Sequence, residues 1–260
     1  MRRLVLLTAF AVMAFAAVAY ALNNNVTYTA KMSHKGSPST KKPGNLSYTG
    51  ILHVESDPPG SQPETAAKTS VFFSKAIVNN AKYFPFCNQS EVDGQPSIPD
   101  KCKKAIVGSG TAVALAGSPG QPTSGDGSSI REPLKVTAMN GPKGKALFLI
   151  LNASSPVQIQ NAVVPGIVVK SSGQYGFLVR FEVPPNLQEN TGLAVALTDF
   201  TVKIPNTAKS VKVGKTTKKI SYLQVTSCKS ALPSKAIAYF KDKDTGAEKP
   251  VTSPQTTAKC

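Results

Sequence analysis

From Val26 onward, apolar side chains recur at alternate positions in short runs broken by Gly, Pro, Asn and Ser. A period of two marks strands with one buried face, because successive Cβ atoms point to opposite sides of a sheet. Residues 26–30 (Val-Thr-Tyr-Thr-Ala) are the first predicted strand, followed by a polar loop over 33–45 that carries Lys35, Lys41 and Lys42. A second strand is predicted over 46–54, then a loop over 58–65. An apolar segment opens at Ser70-Val71-Phe72-Phe73, runs to Val78 and stops at the turn pair Asn79-Asn80. Between Cys87 and Cys102 lies an excursion holding Pro, Asp and Gly, in which Asn88 or Ser90 as a cap would start one helical turn over 89–92.

Residues 105–107 and 111–116 read as one long strand interrupted by Gly108-Ser109-Gly110, and Gly inside a strand marks a bulge or a close backbone approach. Segment 117–131, rich in Gly and Ser, is where a sub-boundary between domains would fall. Against that boundary, the next strands, 133–139 and 146–151, flank Asn140-Gly141, a strong short hairpin signal. Further strands are predicted over 157–169, 175–183, 193–204, 220–225 and 236–241, then a turn at 242–246 and a short strand near Val251. About ten to twelve strands with no long helix, no Trp, 19 Gly and 20 Pro predict an all-β fold. The expected architecture is an antiparallel β-sandwich, one large or two small and stacked, over residues 22–260.

The N-terminus breaks this pattern. Arg2 and Arg3 precede an apolar run from Leu4 to Val18 that closes on Ala19-Tyr20-Ala21, the small-x-small pattern of a signal-peptidase site. Residues 1–21 are therefore predicted to be a signal peptide, and the run is shorter than the roughly 20 residues of a membrane span. No Cys near the site offers a thiol for lipid anchoring, and no later segment suits a transmembrane helix. A secreted or cell-wall-associated protein is expected.

Export changes the meaning of the four cysteines, which in an oxidising compartment predict two disulfides. Pairing neighbours gives Cys87 with Cys102 and Cys228 with Cys260, each closing a short loop. A zinc site is the rival, but no pair has Cys-x-x-Cys spacing and only His34 and His53 could assist, so no metal is expected.

Charge narrows the partners. The net formal charge is +16, or +14 once Arg2 and Arg3 leave with the leader, and it comes from 26 Lys against 4 Arg. Arg reads phosphates and base edges bidentately, whereas Lys is a hydrated point charge suited to diffuse attraction. Sequence-specific nucleic-acid binding is disfavoured. Anionic cell-wall polymers or acidic glycans are the expected partners if the charge has a partner at all, and solubility is the other explanation.

Catalytic chemistry is thinly supplied. His34 stands among Lys31 and Lys35, His53 lies in a predicted strand, and no Gly-x-Ser-x-Gly elbow occurs. A Ser-Lys or two-carboxylate hydrolase has the residue types it needs, yet no pair stands out, so the catalytic residues are unknown and no cofactor is expected. Asp242-Lys243-Asp244-Thr245-Gly246 opens like a calcium loop but lacks the later acidic ligand, Ser253 standing where an EF-hand glutamate belongs, and a hairpin turn explains it. The four Asn-x-Ser/Thr sequons, at Asn25, Asn45, Asn88 and Asn152, discriminate between no functions.

The run Phe84-Pro85-Phe86-Cys87, followed by Cys102-Lys103-Lys104-Ala105-Ile106-Val107-Gly108-Ser109-Gly110-Thr111-Ala112, resembles a box in uncharacterised secreted β-rich proteins of high-GC Gram-positive bacteria. Tyr175-Gly176-Phe177, Val183-Pro184 and Ser221-Tyr222-Leu223 with Cys228 are similar too. Lys103 departs from the pattern, which often has Pro after the second Cys. The resemblance implies a secreted bacterial protein with a paired-Cys β fold, and no activity. The expectation from the whole sequence is a non-enzymatic binding or structural protein of the cell surface; the alternative is a secreted hydrolase acting on an envelope polymer. An enzyme should show a cleft with convergent titratable groups, a surface protein a Lys-rich face or an open sheet edge.

Overall fold

The computed structural model describes residues 23–242 and 245–260, so the predicted leader over 1–21 and the pair Lys243 and Asp244 lie outside it. The strands are β1 (Asn23–His34), β2 (Gly44–Asp57), β3 (Ala66–Ser74), β4 (Ile77–Asn79), β5 (Ile106–Gly117), β6 (Ile130–Asn140), β7 (Ala146–Ala153), β8 (Ile159–Lys170) and β9 (Tyr175–Glu182). They continue as β10 (Glu189–Asn190), β11 (Leu193–Ile204), β12 (Lys209–Val213), β13 (Thr216–Ile220), β14 (Leu223–Val225), β15 (Leu232–Lys241), β16 (Glu248–Thr252) and β17 (Thr256–Ala258). Two helical turns join them, α1 (Asp100–Lys103) and α2 (Pro185–Gln188). The fold is all-β and antiparallel, as the alternation predicts.

A 15-stranded sheet dominates, with the order β16-β15-β3-β9-β8-β7-β6-β5-β11-β2-β14-β4 and β1 on the outer side of β2. It curls over on itself in sandwich-like fashion until β1 packs against β15 and β17. The register carries one inward row around the whole curl. Tyr28 faces Leu52, Leu52 faces Phe200, Phe200 faces Ala112, and Ala112 faces Leu134. On the far side Leu149 faces Val164, Val179 faces Val71, and Val71 faces Ala236. Outward positions of β1 and β2 are instead Thr27, Thr29, Lys31, Thr49, His53 and Glu55, which suit water.

Two local irregularities mark β5 and its neighbours within the curl. Between Leu197 and Asp199 the β11–β5 register shifts, so Thr198 is the extra residue and Phe200, Val202 and Ile204 stay inward behind Val195 and Leu197. The Gly108-Ser109-Gly110 break has the predicted meaning: β5 shifts register against β6 after Ile106, and a Cβ at Gly110 would collide with the carbonyl oxygen of Thr201. The backbone of β5 and that of β11 approach too closely there for any side chain.

One pole of the curl is closed. Asn140, fully buried, donates from Nδ2 to the carbonyls of Ala81 (3.0 Å) and Pro85 (3.0 Å), and its Oδ1 accepts from the Tyr222 hydroxyl (3.1 Å). Phe84 packs edge-on to Tyr222 beneath them. Asn140-Gly141 does sit in the predicted hairpin, but as no two-residue turn: Gly141 has φ −94°, and a single 3-10 turn over Pro142–Gly144 completes the connection. The Asn is there for its amide, which ties the hairpin to the segment preceding Cys87.

That segment continues as a strap over the outer face of β6, β7 and β8. Cys87, Val92, Cys102 and Ala105 cover Met139, Phe148, Ile150 and Val163 in a second apolar cluster. The predicted turn forms over Gln89–Glu91, with Asn88 N–H donating to Glu91 Oε2 (2.8 Å). Both predicted disulfides are present, with Cα–Cα distances of 5.2 Å for Cys87–Cys102 and 5.8 Å for Cys228–Cys260. The first pins the strap; the second ties the segment after β14 to the chain end. Segment 118–129 joins β5 to β6, which pair directly.

Candidate functional site: the apolar interior

The opposite pole is open. Inside the curled sheet lies a cavity of about 410 Å³, within the usual range for small-molecule sites. Inward residues of β1, β2, β3, β5, β6, β7, β8, β9 and β11 contribute to its wall. Ala112, Ala114 and Ala116 of β5 and Gly50 of β2 keep the lining thin there, while Leu147, Leu149 and Leu151 of β7 add larger side chains to the wall. Val195, Leu197, Phe200 and Val202 of β11 point inward yet remain only half-buried. Side chains at such positions in a filled core touch neighbours on all sides; here they border open space.

The mouth is framed by Ile130, the loop bearing Val157 and Gln158, and α2 with β10, which supply Asn186, Leu187 and Asn190. Ile130 is 43% exposed, an apolar side chain standing at the rim. Gln62, fully buried, braces the rim by donating to the carbonyls of Gly117 (3.1 Å) and Ala194 (2.9 Å).

The wall carries few polar groups. Tyr28 and Tyr48 share a hydroxyl–hydroxyl hydrogen bond of 2.5 Å, and burial pushes both phenols well above their ordinary ionisation range. Glu132 is the exception among the charged residues: on β6, opposite Ala114, it is only 5% exposed and lines the cavity just inside Ile130. Its Oε2 accepts from the Val157 N–H (2.8 Å), and its Oε1 is shielded with no partner. Among the described lining residues no His, Lys, Arg, Asp or Cys stands beside it. The other titratable groups among the described lining residues are the mutually paired Tyr28 and Tyr48.

The residues weighed for chemistry in the sequence lie elsewhere. His53 is on the outer face, where Nδ1 meets Asp199 Oδ1 at 2.9 Å and Nε2 faces Glu55 Oε2 at 3.9 Å, with side chains about half exposed. His53 is not among the residues that line the cavity. His34 Nδ1 is buried, without a partner, near the sulfurs of Cys228 and Cys260, and Glu91 lies near those of Cys87 and Cys102. In both groups the sulfurs are bonded to each other, and metal ligation needs thiolates. Asp242 is a turn residue: its Oδ1 accepts from Thr245 N–H (2.9 Å), its Oδ2 pairs with Lys249 (2.6 Å), and Gly246 takes φ +69°.

Comparison of the chain with protein-family models, with curated proteins and with solved structures finds no match in any of the three. The site therefore stands on its own geometry. Glu132 escaped the sequence reading because it lies one residue before the predicted strand 133–139. The signal was its phase, two positions before Leu134 and in step with Val136 and Ala138. Among the described residues no helix is long and apolar enough to cross a membrane, and no Lys is buried.

Proposed function

We propose that this is a secreted, non-enzymatic binding protein that holds one long-chain apolar molecule inside its curled sheet. The observation that carries this reading is the row Val195, Leu197, Phe200 and Val202, inward-facing and apolar but half-buried around the 410 Å³ cavity. Each buried methylene contributes about 0.8 kcal/mol, so ten contribute about 8 kcal/mol against an association cost of at least about 4 kcal/mol. Affinity in this range depends on chain length, and two further carbons should tighten binding roughly ten-fold until the cavity is full. Ala114→Phe, which fills the space opposite Glu132, should abolish uptake of the neutral dye Nile red with little loss of stability. Uptake unchanged by Ala114→Phe would place the dye outside the cavity and defeat the reading.

A second reading, adhesion to anionic cell-wall polymers, has its own support in the hairpin of β12 and β13. Lys209, Lys212, Lys215, Lys218 and Lys219 are all exposed there, with no acidic residue between Pro205 and Ile220. The two readings are compatible, since the hairpin could hold the protein at an envelope while the interior holds its ligand. The hydrolase alternative has less support, for want of a partner to Glu132.

A further inference from the structure

Among the described residues that line the cavity, Glu132 alone has a buried side-chain acceptor atom without a donor. Glu132 faces an otherwise hydrocarbon wall, fixed by the Val157 N–H on one oxygen and left with Oε1 unsatisfied and shielded from bulk water. A buried polar group lacking a partner is costly and uncommon. The backbone bond holds one carboxyl oxygen at the cavity wall, and the cross-strand neighbour on β5, Ala114, presents only a methyl group beside it. An ionised carboxylate only accepts hydrogen bonds, so the group that completes it is a donor, and a cationic donor completes it best. A second carboxylate in the same place would repel it.

On these grounds, and resting on the reading of the cavity as an apolar binding site, we propose that Glu132 is the headgroup-selecting residue of that site: the protein takes a single-chain amphiphile whose head donates hydrogen bonds, an amine or alcohol, and rejects the fatty acid of equal length. Glu132 sits just inside the rim, so the head would lie near the mouth and the chain would run inward along Leu149 and Val202. The net charge sharpens the distinction. A protein at +14 attracts laurate and repels dodecylammonium at long range, so a preference for the cation can arise only locally.

The test is a calorimetric titration of the folded secreted protein with dodecylamine, 1-dodecanol, methyl laurate and laurate, each below its micelle-forming concentration, at neutral pH and moderate salt. The expected order is amine and alcohol tightest, the ester about ten-fold weaker for want of a donor, and laurate weakest. In Glu132→Gln, whose side-chain carbonyl still accepts from Val157, the amine should lose its advantage and laurate should gain, while the ester is unchanged. Laurate binding as tightly as the amine in the unmodified protein would overturn the proposal, and this comparison needs no variant to fold. A preference that persists in Glu132→Gln would overturn it too. If none of the four binds, the cavity reading itself fails; if the ester binds and the headgroups are not distinguished, only the role of Glu132 fails.

Discussion

Removing one hydroxyl of the Tyr28–Tyr48 pair should destabilise the protein more than removing both. The two phenols are fully buried, bonded to each other at 2.5 Å, and pressed close to Gly50, where a Cβ would lie 2.8 Å from the Tyr28 oxygen. Tyr28→Phe leaves the Tyr48 hydroxyl in an apolar wall without a partner, at a cost of about 1–3 kcal/mol; Tyr48→Phe does the same to Tyr28. The double variant leaves nothing unsatisfied and should lie within about 1 kcal/mol of the parent. Urea unfolding of the four proteins gives the coupling directly. The same pair sets the alkaline limit. Burial holds the folded-state ionisation of Tyr28, Tyr48 and Tyr222 above that of the unfolded chain, near 10. Their contribution is complete below that pH and is lost as pH rises through it, because the unfolded chain then releases protons that the folded chain retains. Each such tyrosine steepens the loss by about 1.4 kcal/mol per pH unit, so the slope in the double variant, which lacks two of them, should be shallower than the parent's by about 3 kcal/mol per unit. Single variants that cost nothing would refute the reasoning, since they would show that water reaches the hydroxyls and that this part of the cavity is wet.

Other expectations concern the periphery. Cys260→Ser opens a bridge spanning 32 residues, and chain entropy puts the loss at about 4 kcal/mol; chemical denaturation should show it, with amide protection falling first in β17 and not in β2 or β7. Replacing the five hairpin lysines by Ser should abolish low-salt retention on teichoic acid, and the parent's retention should itself weaken steeply between about 0.01 M and 0.1 M salt as the screening length shortens from roughly 30 to 10 Å; retention indifferent to salt or to the lysines would remove the adhesion reading.

Much of the strand layout was legible because alternation along β1, β2, β9 and β11 is strong and the breaks at Pro, Gly and Asn are sharp. The disulfides were legible from the predicted leader, which implies an oxidising compartment, together with the pairing of neighbours. The hairpin of β12 and β13 was not, since Lys, Ser and Thr occupy both of its faces and only Val211, Val213 and Ile220 mark a side. The cavity was not legible for a deeper reason. Period two reports which side chains point inward, not whether they meet. Ala112, Ala114 and Ala116, with Gly50 two strands away, are small inward residues that either a tightly packed interior or a hollow one would accommodate. Only the curl of the sheet decides between them. Glu132 gains its meaning from the same decision: at the surface of a filled sandwich it would be one acid among 14, whereas in a hollow one it lines the cavity.

The most direct test is where a heavy-atom-tagged ligand sits. Crystals of the protein grown with 12-bromododecan-1-ol should show one anomalous bromine peak inside the curled sheet, enclosed by Leu149, Val202 and their neighbours, at one ligand per chain. A bromine peak confined to the outer surface, or none at saturating ligand, would contradict the central claim that the interior is a binding site.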